Sequence, residues 1–333
     1  MANRANSEGP FSLVSYARHG PGRRDHLSPG QIAHVARTVR RSPEVMVKVL
    51  SHGGKDLRAV GRHLDYLRLR EEEEREIETD DGERLTGRAV TDKLLEDWDL
   101  DLEEHRHRSD LDARGGGSMK LVHKLIFSMP EGTPPQKVLA AVKNFAREEF
   151  ALKHRYAMVL HTDEAHPHVH MVLKAVSERG ERLHIRKATL REWRRGFAWH
   201  LRKLGVEANA TDRAVRGITE PRKLDGIYRP MTDPKRVSSH MIRRAELLES
   251  ELRAGGLKGE PSKAKLVETR KVVEQGWQGV SDILVRQGHS GLAWEVRRFA
   301  EQMPPPRTDK EWLAVQRHTP IHKPAVKDLP VSR

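Results

Sequence analysis

The chain reads as an α+β protein, a largely antiparallel sheet flanked by helices and followed by a helical C-terminal region. Three observations carry this. Between residues 44 and 217, short β-type runs alternate with helical stretches. Two of those runs are joined only by the polar "TDEAHP", the kind of connection that closes a hairpin. Beyond about residue 220, the apolar residues fall at helical spacing.

In chain order, residues 1–43, including "RHGPGRRDHLSPGQ", are rich in Gly, Pro and Arg and read as a basic, largely disordered arm. Within it, "QIAHVARTVRR" has the pattern of a short basic helix. Order is expected from "EVMVKVL" (44–50), a β-type run. "SHGG" then turns the chain, and Asp56 is placed to cap the helix "LRAVGRHLDYLRLR". Residues 71–118 form an acidic segment with one short helix at "GRAVTDKLLEDW" and a flexible "RGGGS" end. After it come the strand "KLVHKLIFSM" and the helix "TPPQKVLAAVKNFAREEF", with Pro near its first turn. "RYAMVLHT" and "HVHMVLKAV" read as a strand pair, and "GERLHI" as a short or edge strand. In "KATLREWRRGFAWHLRKLG", Leu190, Trp193, Phe197, Leu201 and Leu204 follow one helical stripe that a glycine stops. "SSHMIRRAELLESELRAG", "SKAKLVETRKVVEQGWQGVSDILVRQG" and "GLAWEVRRFAEQM" read as further helices. The expected organisation is an arm (1–43), a core domain (44–217, with the acidic segment inside it), a helical accessory region (218–303) and a loosely ordered Pro-rich tail (304–333).

Composition narrows the classes of function. The 333 residues contain no cysteine, which excludes disulfides, zinc ribbons and thiol catalysis. No run of eighteen apolar residues and no signal-peptide pattern is present, so a soluble, cytoplasmic protein without membrane insertion is expected. Net charge is +13, unevenly spread: residues 71–112 hold 18 acidic against 6 basic residues, the remainder 55 basic against 30 acidic. So basic a surface suits a polyanion, and nucleic acid above all, because each phosphate contact releases condensed counterions.

"HTDEAHPHVHMVLKAV" (161–176) holds four histidines in ten positions. His168 and His170 are two apart at the head of a β-type run, so they share a face. The hairpin would bring His161 beside them, forming an open triad for a divalent cation. His166 falls in the connection and has the weaker case. His105 and His107, set among charges with no apolar strand to orient them, read as a solvated loop.

Such a metal could serve bound water, as in a hydrolytic nuclease, or a side-chain nucleophile, as in strand transfer. Of the four tyrosines, Tyr16 lies in the arm, Tyr156 starts a core strand and Tyr228 sits in a connection. Tyr66 lies opposite the stripe Leu57, Val60, Leu64 and Leu67 of its helix, on a face shared with Arg62 and Arg70. A tyrosine on a basic face is placed to meet a phosphate.

The stretch His161, Asp163, His166, Pro167, His168, His170 resembles the third motif of conjugative relaxases, which belong to the histidine-triad (HUH) single-strand endonuclease superfamily. The form is most like the T-DNA border endonuclease (MobP) type of mobilization nuclease. "VMVKVLSHGGKDLRAVGRHLDYL" is similar to their first motif: a strand, a Gly-rich turn and a helix with the nucleophilic tyrosine. The resemblance covers roughly residues 44–217. It departs at Ala165, where many relatives have an acidic residue.

The resemblance implies a relaxase-like HUH fold. His161, His168 and His170 would hold Mg²⁺ or Mn²⁺ against the scissile phosphate, with Asp163 orienting a ligand histidine. Tyr66 would attack phosphorus to give a 5′-phosphotyrosyl intermediate. Arg62, Arg70 and the helix arginines Arg191, Arg194 and Arg195 would track the single strand. The partners implied are single-stranded DNA at an origin of transfer, an accessory DNA-binding protein and secretion or coupling machinery. Two alternatives stay open: a related nickase for rolling-circle replication or transposition, and a non-catalytic DNA-binding protein. No G-x-x-x-x-G-K-[ST] motif occurs in the chain.

Overall fold

The computed structural model describes residues 26–50, 54–70, 73–87, 89–104, 119–220 and 239–318. The described chain divides into two compact units, one over 36–211 and a second that takes 26–35 and 212–318.

The first unit is built on a six-stranded, fully antiparallel sheet. Its strands are β1 (Met46–Leu50), β4 (Ile77–Thr79), β5 (Arg84–Leu85), β6 (Val122–Ser128), β7 (Tyr156–His161) and β8 (His168–Lys174), in the spatial order β1-β6-β8-β7-β4-β5. A separate two-residue ladder pairs β2 (Leu69–Arg70) with β3 (Glu73–Glu74). The α+β class and the antiparallel sheet are therefore as read from the sequence.

Strand parity divides the sheet into two chemistries. Val47, Leu125, Phe127, Met158, Val169, Met171 and Leu173 face one way. Against them pack α4 (Pro135–Glu149) and α5 (Lys187–Lys203), through Val138, Val142, Phe145, Trp193, Phe197 and Leu201. The Trp193 Nε1–H donates to Glu149 Oε1 at 3.1 Å, so that ring packs in the core with its polar atom satisfied.

The other face carries Val122, Ala157, Val159 and Val172 at one end and the histidines at the other. It is covered by α2 (Leu57–Arg68) and α3 (Val90–Asp97), through Val60, Leu64, Leu67, Val90 and Leu94. Asp56 caps α2 as expected, its Oδ1 accepting the Ala59 N–H at 2.7 Å. Gly54, at φ +149°, lets the turn before α2 lie directly on β6: a Cβ there would stand 2.7 Å from the Val122 carbonyl oxygen.

Several expectations are corrected. The short helix expected within the arm is α1 (Pro29–Val39), but the arm is more ordered than expected around it, with Leu27 and Val35 fully buried. Residues 1–25 lie outside the described residues. The acidic segment contributes the β4–β5 hairpin as well as its one expected helix. Ile77, Leu85, Leu94, Trp98 and Leu100 give it a buried side, which makes it half of the second core. Residues 105–118, with His105 and His107, are not described. "GERLHI" forms no strand: it makes a single bridge, Val176 to Arg182, and packs Leu183 and Ile185 on the core. The tail contains a helix, α9 (Asp309–His318), held by the Lys263–Glu311 ion pair at 2.8 Å; residues 319–333 are not described.

The second unit is helical, with α6 (Ser239–Arg253), α7 (Pro261–Arg286) and α8 (Ser290–Glu301). Its core gathers Val273, Trp277, Val280, Leu284, Val296 and Phe299. Among the described residues, no helix is long and apolar enough to cross a membrane.

Candidate metal and nucleophile site

The β7–β8 hairpin pairs His161 with His168 and Val159 with His170, and β6 sets Ser128 and Ile126 against the same two histidines. The three imidazoles thus share one sheet face in two adjacent rows. Their ring centroids stand 4.6 Å (161–170), 5.1 Å (168–170) and 5.3 Å (161–168) apart. One nitrogen from each falls within 4.8 Å of the others. All three are buried, at 1, 7 and 8% exposure.

Backbone carbonyls select the free nitrogens. The His168 Nδ1–H donates to the His166 carbonyl at 2.9 Å, leaving Nε2 as its lone-pair atom. The His161 Nε2–H donates to the Leu67 carbonyl at 3.2 Å, leaving Nδ1. That carbonyl belongs to the last turn of α2, which has no intrahelical partner to offer it. The same bond therefore ties the helix of Tyr66 to the ligand strand. His170 Nδ1 is buried with no hydrogen-bond partner among the described residues. Three imidazoles, each with an available nitrogen, fit a divalent cation.

Burial and neighbouring positive or histidine groups keep His161 and His170 neutral. Burial, then Arg75 and His168, lowers His161 to a pKa of about 4. Burial with the two neighbouring histidines lowers His170 to about 3. A neutral imidazole is the form that binds a metal.

Asp163 lies 3.9 Å from His161 Nδ1, beyond hydrogen-bonding distance, and its Oδ1 accepts from Arg75 Nη2 at 3.3 Å. Its reach to a ligand histidine is electrostatic, and Arg75 intervenes. His166 is exposed in the connection, where its Nδ1 accepts the Glu131 N–H at 2.9 Å, so it stands apart from the cluster.

Tyr66 is 48% exposed on α2, opposite the buried Val60, Leu64 and Leu67. Between it and the triad stands His63, one helical turn earlier. The His63 ring stacks with Tyr66 at 6.3 Å and meets His170 edge-on at 6.3 Å. Burial, Lys124 and His161 lower His63 to about 4. Sequence reasoning missed His63 and Arg75, although the i,i+3 spacing of His63 from Tyr66 was a visible signal. Tyr156 is buried, and burial with Asp80 raises its phenol to about 12. Tyr16 and Tyr228 lie outside the described residues.

The expected DNA-contacting arginines separate. Arg62 is exposed on α2. Arg70 does not continue the helix face, because α2 ends at Arg68 and Arg70 enters the β2–β3 ladder; its side chain is outside the described residues. Arg191, Arg194 and Arg195 ride on α5, which packs on the sheet face away from the triad, so the fold does not gather them at this site.

A buried histidine triad on an antiparallel sheet defines a candidate metal centre. Residues 71–205 match the family model described as "Relaxase: MobA/VirD2-like, nuclease domain". Residues 71–205 are thus similar to a relaxase nuclease domain, and relaxases as a class nick DNA. The match covers the triad and begins after Tyr66. No curated protein and no solved structure matches the chain.

Proposed function

We propose that this protein is a site- and strand-specific relaxase that nicks single-stranded DNA at an origin of transfer to start conjugative transfer or mobilization. The observation that carries the proposal is the continuous ring contact from Tyr66 through His63 to His170. It sets the one exposed tyrosine among the described residues beside the three-histidine cluster.

Mg²⁺ or Mn²⁺, held by His161, His168 and His170, would offset charge on a non-bridging oxygen of the scissile phosphate. The chain's own residues supply the rest. Tyr66 Oη attacks phosphorus in line and loses its proton; the P–O3′ bond breaks, and the 3′ oxygen takes up a proton as a free hydroxyl. The 5′ phosphate stays on the tyrosine, so the bond can be remade on another 3′-hydroxyl. His63 holds the phenol ring in place, and Arg62 offers the strand a cation at the rim. Asp163 anchors Arg75 beside His161. Residues 44–217 form the nicking module, and the helical region 218–303 modulates it.

The test is covalent transfer to a 3′-labelled single-stranded oligonucleotide series tiling the DNA around the protein's own coding region, with Mn²⁺ present. A stable adduct at one sequence supports the relaxase reading. Binding without any adduct supports a non-catalytic DNA-binding protein, and an adduct confined to a replication or transposon-end sequence supports the related nickases.

A further inference from the structure

Lys124 stands in β6 two residues before Ile126, the partner of His170, so its side chain leaves the sheet on the triad face. It is 5% exposed. Among the described residues, no carboxylate or carbonyl lies within ion-pair or hydrogen-bond distance of its ammonium, though buried charges are ordinarily paired or ligated.

Its surroundings add charge of the same sign. Burial first, then Arg62 and Lys120, press its pKa down to about 8, opposed by Asp56. The Asp56 carboxylate is already engaged as the cap of α2. Lys124 in turn disfavours a proton on His63, the ring between Tyr66 and His170. A two-residue step along β6 is about 7 Å, a separation that one lysine side chain spans easily. The triad face therefore carries, one row from His170, a positive charge with no anion in bonding distance among the described residues, on which the capping Asp56 acts only from further off.

We propose that Lys124, with Arg62 at the rim, forms a phosphate subsite that takes a non-bridging oxygen of a phosphodiester next to the one at the triad. The proposal rests on the triad face being the DNA-nicking face. The ligand is the backbone of a single strand, held by charge and indifferent to base identity. The strand then runs from the triad, past His63, toward the N-terminal end of α2, with Tyr66 beside it.

The full chain is tested as Lys124→Met, Lys124→Gln, Lys124→Arg and, as a control from the opposite face, Lys137→Met on α4. The probe is a mixed-sequence single-stranded oligonucleotide in EDTA, with affinity read across a range of salt. Lys124→Met and Lys124→Gln are expected to bind about tenfold more weakly. The slope of log K against log salt should shrink by about 0.7, the share of one phosphate on a single strand. Lys124→Arg should keep the slope, and Lys137→Met should leave it unchanged. Without DNA, Lys124→Met should melt at or above the wild-type temperature, because no ion pair among the described residues is lost.

An unchanged slope, an equal loss in Lys137→Met, or a lower melting temperature in Lys124→Met would each overturn the subsite. So would a failure of both neutral variants to fold, since Lys124 would then be a structural residue. Absence of any wild-type adduct in the transfer assay would sink the relaxase reading alone, because this binding measurement does not depend on cleavage.

Discussion

Alternate residues of the same strands make the two faces of the sheet, and the faces differ in what they leave unpaired. On one, Phe127 meets Phe145 and Phe197, and Phe150 meets Trp193, with ring centroids 5.3 to 5.4 Å apart. The polar atom of Trp193 is bonded, and nothing is held back for a ligand. On the other, small residues such as Val122, Ala157, Val159 and Val172 support α2 at one end of the strands. At the hairpin end, the imidazoles keep nitrogens free and Lys124 has no ion-pair partner among the described residues. Stability is concentrated on the face that is finished, and chemistry on the face that is not. A period-two strand can carry both, because one residue step changes the side.

Mutations should separate the two faces. The largest expected effect is from Tyr66→Phe, which removes only the phenolic oxygen: the covalent adduct should vanish while single-strand binding stays within a few-fold. An adduct that persists and maps to Tyr16 or Tyr228 would move the nucleophile elsewhere. Next, His168→Ala or His170→Ala should eliminate cleavage and weaken Mn²⁺ binding by more than about tenfold, whereas His166→Ala should be mild. Calorimetric titration with Mn²⁺ checks this, and equal losses at 166 and 168 would redraw the triad.

Across the sheet, Phe197→Ala should destabilise the domain by roughly 3–5 kcal/mol in denaturant melts. Protein still folded should bind Mn²⁺ with unchanged affinity; a parallel loss of both would mean the faces are not separable.

A smaller effect is expected with pH. His63, His161 and His170 have folded pKa values of about 4, 4 and 3, below the ordinary 6.5 of the unfolded chain. Between those values the unfolded state binds more protons, so stability of the metal-free protein is full above about pH 6.5 and falls as pH drops toward 4. The fall should be shallower in His170→Ala, as read from urea midpoints at each pH. An identical slope in that variant would assign the acid sensitivity to other groups.

The smallest effect concerns the helical unit. A chain ending at Gly217 should still form the adduct, with weaker and more salt-sensitive binding. A folded truncation that bound Mn²⁺ yet cut nothing would show that the site borrows residues from beyond it.

What was legible in the sequence was local. Two-residue spacing put His168 and His170 on one face, and the short "TDEAHP" connection brought His161 to them. Helical spacing turned Tyr66 away from Val60, Leu64 and Leu67, and Asp56 announced the start of its helix. The β4–β5 hairpin was hidden because its strands are two and three residues long and highly charged. They exist by pairing with β7 and by burying Ile77 and Leu85. Arg70 was misassigned because the helix ends two residues earlier than its periodicity suggests.

By itself, then, the sequence determined the class of fold, the strand carrying two of the ligands and the outward face of the tyrosine, since each follows from a repeat of two or 3.6 residues. Only the tertiary structure decided which side of the sheet each helix covers. A stripe such as that of α5 says that one face of a helix is buried, and is silent on what it is buried against. That choice took Arg191, Arg194 and Arg195 away from the triad, laid His63 against His170, and buried Lys124 on the triad face with no ion-pair partner among the described residues. Each of these is a meeting of residues far apart in the chain, set by the packing of complementary surfaces, which no local period encodes.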